Sequence, residues 1–118
     1  MIQFEELRLA LEELGPDIDD LAEALGLAAM KKEIASLEEQ SAAPDFWNDM
    51  ERSQKTLQRA SMLKNKVAAY ERLHSAYEDA LALVELGNEA EDLSVLPEAQ
   101  EELEKVRAEL ENQRLSTL

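Results

Sequence analysis

Residues 48–86 read NDMERSQKTLQRASMLKNKVAAYERLHSAYEDALALVEL and contain neither glycine nor proline. Mostly apolar side chains recur along this segment at steps of three and four residues, the spacing of one face of an α-helix, and we call this set the stripe. They are Leu57, Ala60, Leu63, Val67, Tyr70, His74, Tyr77, Leu81 and Val84. A helix of roughly 39 residues extends about 58 Å. A helix this long in a small chain is predicted to be a spine against which shorter helices pack.

Three further segments carry apolar residues in the same rhythm. They are Phe4, Leu7, Leu11, Leu14, Ile18, Leu21 and Leu25; then Leu27, Met30, Ile34 and Leu37; and last Leu96, Ala99, Leu103, Val106 and Leu110. Alternating runs of strand-forming residues are missing from the sequence. We therefore predict an all-α fold, a single antiparallel bundle of about four helices over residues 1–118 with coiled-coil-like packing around the spine. A long parallel coiled-coil dimer is the alternative, which the short second helix and the mid-chain prolines disfavour.

Glycine and proline mark the predicted boundaries of these helices. Gly15-Pro16 interrupts the first helix, but the stripe keeps its phase, which favours a kink over a break. Gly26 is predicted to end that helix, and the second helix is predicted to end near Gln40-Ser41. Ser94 is a candidate N-cap of the last helix, which fades at Gln113.

The joint before the spine concentrates the bulkiest side chains of the chain. Pro44 blocks continuation of the second helix, and Phe46 and Trp47 follow it. Asn48 and Glu51 have the spacing of a capping box, in which Asn48 caps the spine and Glu51 reaches back. We predict that this joint is structural, with the two aromatic side chains plugging the end of the bundle, in preference to a role in binding a partner.

The charge of the chain is unevenly distributed. The chain carries 27 acidic and 12 basic side chains, a net charge of −15, so as a whole it should repel nucleic acid. Bases nevertheless predominate on the first half of the spine, and the candidates for contact with a partner are Arg52, Lys55, Arg59, Lys64 and Lys66. The competing interpretation is that these residues form surface ion pairs with acidic neighbouring helices.

The sequence offers no recognisable catalytic, cofactor-binding or metal-binding motif. Glu71 and His74 resemble half of a di-iron motif, but the chain has only one histidine and no cysteine. No serine lies in a glycine elbow, and no glycine-rich loop could cradle a phosphate. The chain has neither the basic and apolar regions of a signal peptide nor an apolar run long enough to span a bilayer, which predicts a cytoplasmic, non-enzymatic protein.

The segment APDFWNDMERSQKTLQ, followed by a helix rich in Lys, Tyr and Leu, resembles the N-terminal domain of the bacterial peptide chain release factor 2 family. The segments MKKEIASLEEQ and ELEKVRAELENQRL match the order of parts in that domain over all 118 residues. The uninterrupted first helix of the family differs from this chain at Gly15-Pro16.

The resemblance implies a part of a longer protein that ends translation at UAA and UGA codons by triggering hydrolysis of peptidyl-tRNA on the ribosome. The family reads codons with a Ser-Pro-Phe tripeptide and positions water with a Gly-Gly-Gln tripeptide, and neither occurs in this chain. What the resemblance implies for residues 1–118 is an accessory helical domain near the ribosomal stalk base that affects the recycling GTPase, with no contact to the stop codon. A homodimer of the isolated domain, and a generic coiled-coil tether or scaffold without a ribosomal role, are the further hypotheses.

Overall fold

The longest element is a single helix of 40 residues that runs the whole length of the molecule. The computed structural model describes residues 1–117. Their extent along the three principal axes is 64 × 27 × 18 Å. At about 1.5 Å per residue the long helix accounts for nearly all of the largest dimension, so the prediction of a spine is confirmed.

Four shorter helices pack on this spine, in agreement with the predicted all-α bundle. The elements are α1 Ile2–Glu12, α2 Leu14–Leu25, α3 Leu27–Ser41, α4 Met50–Glu89 and α5 Leu96–Thr117, with short 3₁₀ turns at Phe46–Asn48 and Leu93–Val95. The α1, α2 and α3 helices follow one another antiparallel to α4. The N-terminal amine of Met1 donates to Asn88 Oδ1 at 2.6 Å at one end, while Arg59 meets Glu33 further along.

The first two helices are one kinked helix. Glu13, between them, keeps right-handed helical dihedral angles (φ −61°, ψ −26°), and its N–H donates to the Leu9 carbonyl at 3.1 Å. Because Pro16 has no N–H, it cannot donate to the Glu12 carbonyl, and this missing hydrogen bond lies beside the interruption. The buried stripe continues through the kink from Leu11 to Ile18, so the predicted kink is confirmed.

Gly26 ends α2 with a positive φ of 67°, the left-handed conformation that glycine adopts without steric cost. Its N–H donates to the Glu23 carbonyl at 3.0 Å, and α3 begins with the next residue. The predicted end of the second helix at Gln40-Ser41 is also correct, since α3 ends at Ser41.

The two main core clusters lie where α1, α2 and α5 surround the C-terminal half of α4, and Ala60, Leu63 and Val67 are buried on its first half. One cluster joins Phe4, Leu7 and Leu11 of α1 to α4 and α5, and a second joins Ile18 and Leu21 of α2 to the same helices. No residue of α3 is fully buried. We call residues 1–26 and 70–117 the body, and residues 27–69, which contain α3, the joint and the first half of α4, the arm.

The stripe on α4 differs in part from the predicted one. Leu57 is exposed, and His74, Tyr77 and Leu81 are only half-buried, whereas Leu73 and Ala80 are buried. The reason is that α4 changes partners along its length. Its first half packs mainly on α3, while its second half packs between α1, α2 and α5, and the buried face rotates accordingly.

Three predicted helix ends were wrong by a few residues. The α4 helix continues through Gly87 to Glu89, because the side chains of Phe4 and Val95 pack against the bare glycine. The α5 helix begins at Leu96, since Ser94 lies in a 3₁₀ turn and donates to Asp92 Oδ1 through both its N–H (2.9 Å) and its hydroxyl (2.6 Å). Beyond Gln113 the helix continues to Thr117.

Candidate partner-contact surface

The joint at the end of the arm is held by hydrogen bonds to one buried serine. The Ser53 hydroxyl lies 2.6 Å from the Phe46 carbonyl oxygen and 2.7 Å from the Asp49 carbonyl oxygen, and the side chain is fully buried. Within the joint, the Asn48 N–H donates to the Asp45 carbonyl at 3.0 Å, which closes the 3₁₀ turn. Ser53 therefore fixes the joint to the first turn of α4.

The predicted capping box of α4 is wrong by one residue. Asp49, in an extended conformation (φ −115°, ψ 96°), is the N-cap, and its carboxylate accepts the N–H of Arg52 at 3.1 Å. The Asn48 N–H is already used in the preceding 3₁₀ turn, so it is not available to a returning Glu51 side chain. Glu51 does not reach back but pairs with Lys55 at 3.3 Å.

Trp47 does not plug the end of the bundle, contrary to the prediction. Its side chain is 56% exposed and packs edge-on against the half-buried Phe46, with ring centroids 4.9 Å apart. Only two helices meet at this end of the molecule, so no third wall is present to cover an indole. Met50, which follows at 58% exposure, extends the exposed apolar surface along α4.

Two basic side chains on the first half of α4 pair with α3. Arg59 donates two hydrogen bonds to Glu33, at 2.6 and 2.9 Å, and Lys64 lies 2.5 Å from Glu38. The Arg59 guanidinium lowers the pKa of the Glu33 carboxyl, chiefly through these hydrogen bonds. These exposed pairs cross from α4 to α3 and support the ion-pair interpretation, although their worth to stability is small.

Two of the five candidate partner contacts, Arg52 and Lys66, differ from the others. Their side chains are exposed and form no ion pair among the described residues 1–117. Lys66 lines a shallow hollow, about 270 Å³ in volume, where the C-terminal end of α5 meets α4. A partner contact at these two residues stays a prediction.

Glu71 and His74 do not converge on a common point. Glu71 pairs with Lys31 of α3 at 3.4 Å, whereas His74 Nδ1 lies 2.8 Å from Glu78 Oε1. Within the described part of the chain, no group of three or more histidine and acidic side chains is placed to hold a metal ion. The same residues include no helix that combines the length and the apolar character of a membrane span.

Charge separates the arm from the body. The arm carries seven basic and six acidic side chains, a net charge of +1, and the body carries five basic and twenty-one acidic ones, a net charge of −16. The arm is itself polarised. Its outer part, residues 38–57, has five acids and two bases, while its inner part, residues 27–37 and 58–69, has five bases and one acid.

Sequence reasoning missed Ser53, Asp49 and the exposed apolar pair of Met50 and Leu57. Ser53 could have been found, since it precedes Ala60 and Val67 at exact seven-residue spacing. The exposure of Trp47 could not, because it depends on how far α5 extends along α4.

Comparison with known proteins gives a consistent family. The PCRF domain matches residues 30–118. Relatives named peptide chain release factor 2 include those of Streptomyces avermitilis (33% identical over 108 residues, 92% of this chain), Kineococcus radiotolerans (33% over 98 residues, 83%) and an Exiguobacterium species (27% over 117 residues, 99%). The matches cover 29%, 27% and 32% of those relatives, so the chain spans less than a third of their length.

Proposed function

The chain belongs to the PCRF domain family of peptide chain release factors, and we propose that it acts in translation termination as the accessory helical domain of a release factor for UAA and UGA codons. The observation that carries the proposal is the family match over residues 30–118, which includes the joint, the spine and α5. The relatives named release factor 2 extend the similarity over 92% and 99% of the chain. They lend no support to a generic tether or scaffold.

In this proposal the domain binds and orients but does not catalyse. Peptide release needs groups within hydrogen-bond reach of the reacting carbonyl, and codon reading needs groups at the base edges. The exposed arm and the acidic body are instead surfaces of the kind that contact other macromolecules. We assign the catalytic and codon-reading steps to other parts of the longer factor.

The partners included in the proposal are the ribosome, near its stalk base, and the GTPase that recycles the factor. The domain works in the cytoplasm and touches no stop codon. A remote domain contributes through binding energy and conformational coupling, so its loss should lower affinity or turnover without abolishing the chemical step. Self-association of the isolated domain is a further element of the proposal.

The test compares the whole factor with a factor that lacks this domain on stop-programmed ribosomes. We expect residues 1–118 alone to release no peptide. The shortened factor, at saturating concentration, should keep codon-specific release in a single turnover and should lose affinity, or multiple turnover with the recycling GTPase. A fall of several orders of magnitude in the saturated single-turnover rate would place the domain in the catalytic step and contradict the proposal.

A further inference from the structure

The arm is a two-helix layer whose apolar side chains are incompletely covered. No residue of α3 is fully buried. Trp47, Met50 and Leu57 near its outer end are 56%, 58% and 41% exposed. In the body a third helix, α5, supplies the missing layer, and its last residues lie beside Asn65, Lys66 and Ala69 at the inner end of the arm. Exposed apolar side chains also occur on the body, among them Ile2, Leu86 and Leu115, so it is the charge of the arm that distinguishes it as a docking surface.

The charges of the arm are complementary to those of a second arm that runs in the opposite direction. The outer part (residues 38–57) has a net charge of −3 and the inner part (residues 27–37 and 58–69) has a net charge of +4. When two arms lie side by side and antiparallel, each acidic outer part faces a basic inner part, and a two-fold axis makes this match twice. A parallel pair would oppose like charges at both positions, which is unfavourable.

The same arrangement also keeps the two acidic bodies apart, which lowers the repulsion between them. Each body carries a net charge of −16, so any packing of body on body brings many acidic side chains together. Overlapping antiparallel arms place the two bodies at opposite ends of the pair. Within the chain, the nearly neutral arm is thus the surface at which a second copy meets the least electrostatic opposition.

We infer that the isolated domain forms an antiparallel, two-fold symmetric dimer through its arms, with the outer part of each arm covered by the inner part of the other. This inference deepens the self-association included in the proposed function. Its test contains no ribosome, so a failure here would leave the role in termination untouched, and a failure of that role would leave the dimer untouched.

The test uses two charge variants at exposed residues that form no ion pair within residues 1–117. The outer variant, Glu39→Lys with Asp45→Lys, makes both parts of the arm basic. The inner variant, Lys32→Glu with Lys66→Glu, brings the inner part from a net charge of +4 to zero, so that no part of the arm is basic. By sedimentation equilibrium we expect wild type to dimerise and each variant alone to dimerise at least about tenfold more weakly. An equimolar mixture of the two variants should form heterodimers, because the basic arm of the outer variant attracts the acidic outer part of the inner variant.

Matched controls carry the same charge changes on the body. Glu85→Lys with Glu111→Lys raises the net charge by four, as the outer variant does. Lys105→Glu with Arg107→Glu lowers the net charge by four, as the inner variant does. Both control variants should dimerise as strongly as wild type. Trp47 is the only tryptophan, so its fluorescence should shift to shorter wavelength as the concentration of wild type rises.

Three results would overturn the inference. The first is a wild-type chain that stays monomeric at every concentration with unchanged Trp47 emission. The second is a dimer that persists in both variants, or a mixture of the variants that remains monomeric. The third is a monomer that binds an RNA hairpin and loses this binding in the inner variant, which would assign the basic part of the arm to nucleic acid.

Discussion

The ring of Phe4 lies directly against Gly87, so that a Cβ atom added at Gly87 would be 2.8 Å from Phe4 Cε1 and 2.5 Å from Val95 Cγ2. This contact joins the beginning of α1 to the end of α4 and to the turn before α5. Phe4 itself is 1% exposed. The glycine is therefore required by packing even though it lies inside a helix.

Gly87→Ala should lower the free energy of unfolding by about 1–3 kcal/mol, because the added methyl group overpacks a filled core. Helix propensity alone would favour alanine by about 1 kcal/mol, so the sign of the effect distinguishes the two terms. Gly15→Ala is the control, since its Cβ would approach only the hydroxyl of the half-buried Tyr77. Denaturant unfolding measures both, and a stabilised Gly87→Ala would show that Phe4 can move aside.

Trp47→Ala should lower the free energy of unfolding by less than about 1 kcal/mol, since the indole is mostly exposed and its main ordered contact is the edge of Phe46. Leu11→Ala, at a fully buried site of the body, should cost about 2–5 kcal/mol. The comparison is made by thermal unfolding at low protein concentration, which minimises any contribution from self-association. An equal loss of unfolding free energy in the two variants would instead support the prediction that Trp47 plugs the end of the bundle.

Ser53→Ala should cost about 1–2 kcal/mol because it removes the hydroxyl beside the Phe46 and Asp49 carbonyl oxygens. Ser61→Ala, at an exposed position of the same helix, gains the same helix propensity and makes a matched control. Hydrogen exchange should also speed up at residues 42–49 in Ser53→Ala alone. If exchange there were unchanged, the serine would not be what holds the joint.

The pair of Glu33 and Arg59 should make a small pH-dependent contribution to stability. Because Arg59 lowers the pKa of the Glu33 carboxyl below its ordinary value of 4.5, the pair stabilises the fold above that pH, and the contribution disappears as the pH falls through the lowered pKa. The difference in melting temperature between wild type and Glu33→Gln should therefore be present near neutral pH and shrink in acid. Glu39→Gln, which removes an exposed carboxylate of the same helix, is the control, and a difference that persists unchanged at low pH would mean that packing, not charge, is lost in Glu33→Gln.

The periodicity of the sequence was sufficient for the spine, the helical class, the kink at Gly15-Pro16 and the end at Gly26, because each depends on local spacing or on the conformational limits of one residue. It was insufficient where a contact between residues far apart in sequence determines the local structure or the burial of a side chain. Gly87 is read as a helix end by propensity, but Phe4, more than eighty residues away in sequence, makes it a packing site. Trp47 is read as a core residue by its size, but α5 ends before it could cover the joint.

The hydrogen bond between the Met1 amine and Asn88 joins residues 87 positions apart in sequence, so it closes a long loop. Contacts close in sequence form sooner than distant ones, so α3 and the start of α4 meet first, on either side of the joint. We therefore expect the helical hairpin to form from the joint towards the body and α1 to dock late. Mutations beside the joint should accordingly slow folding, whereas mutations in α1 should mainly speed unfolding.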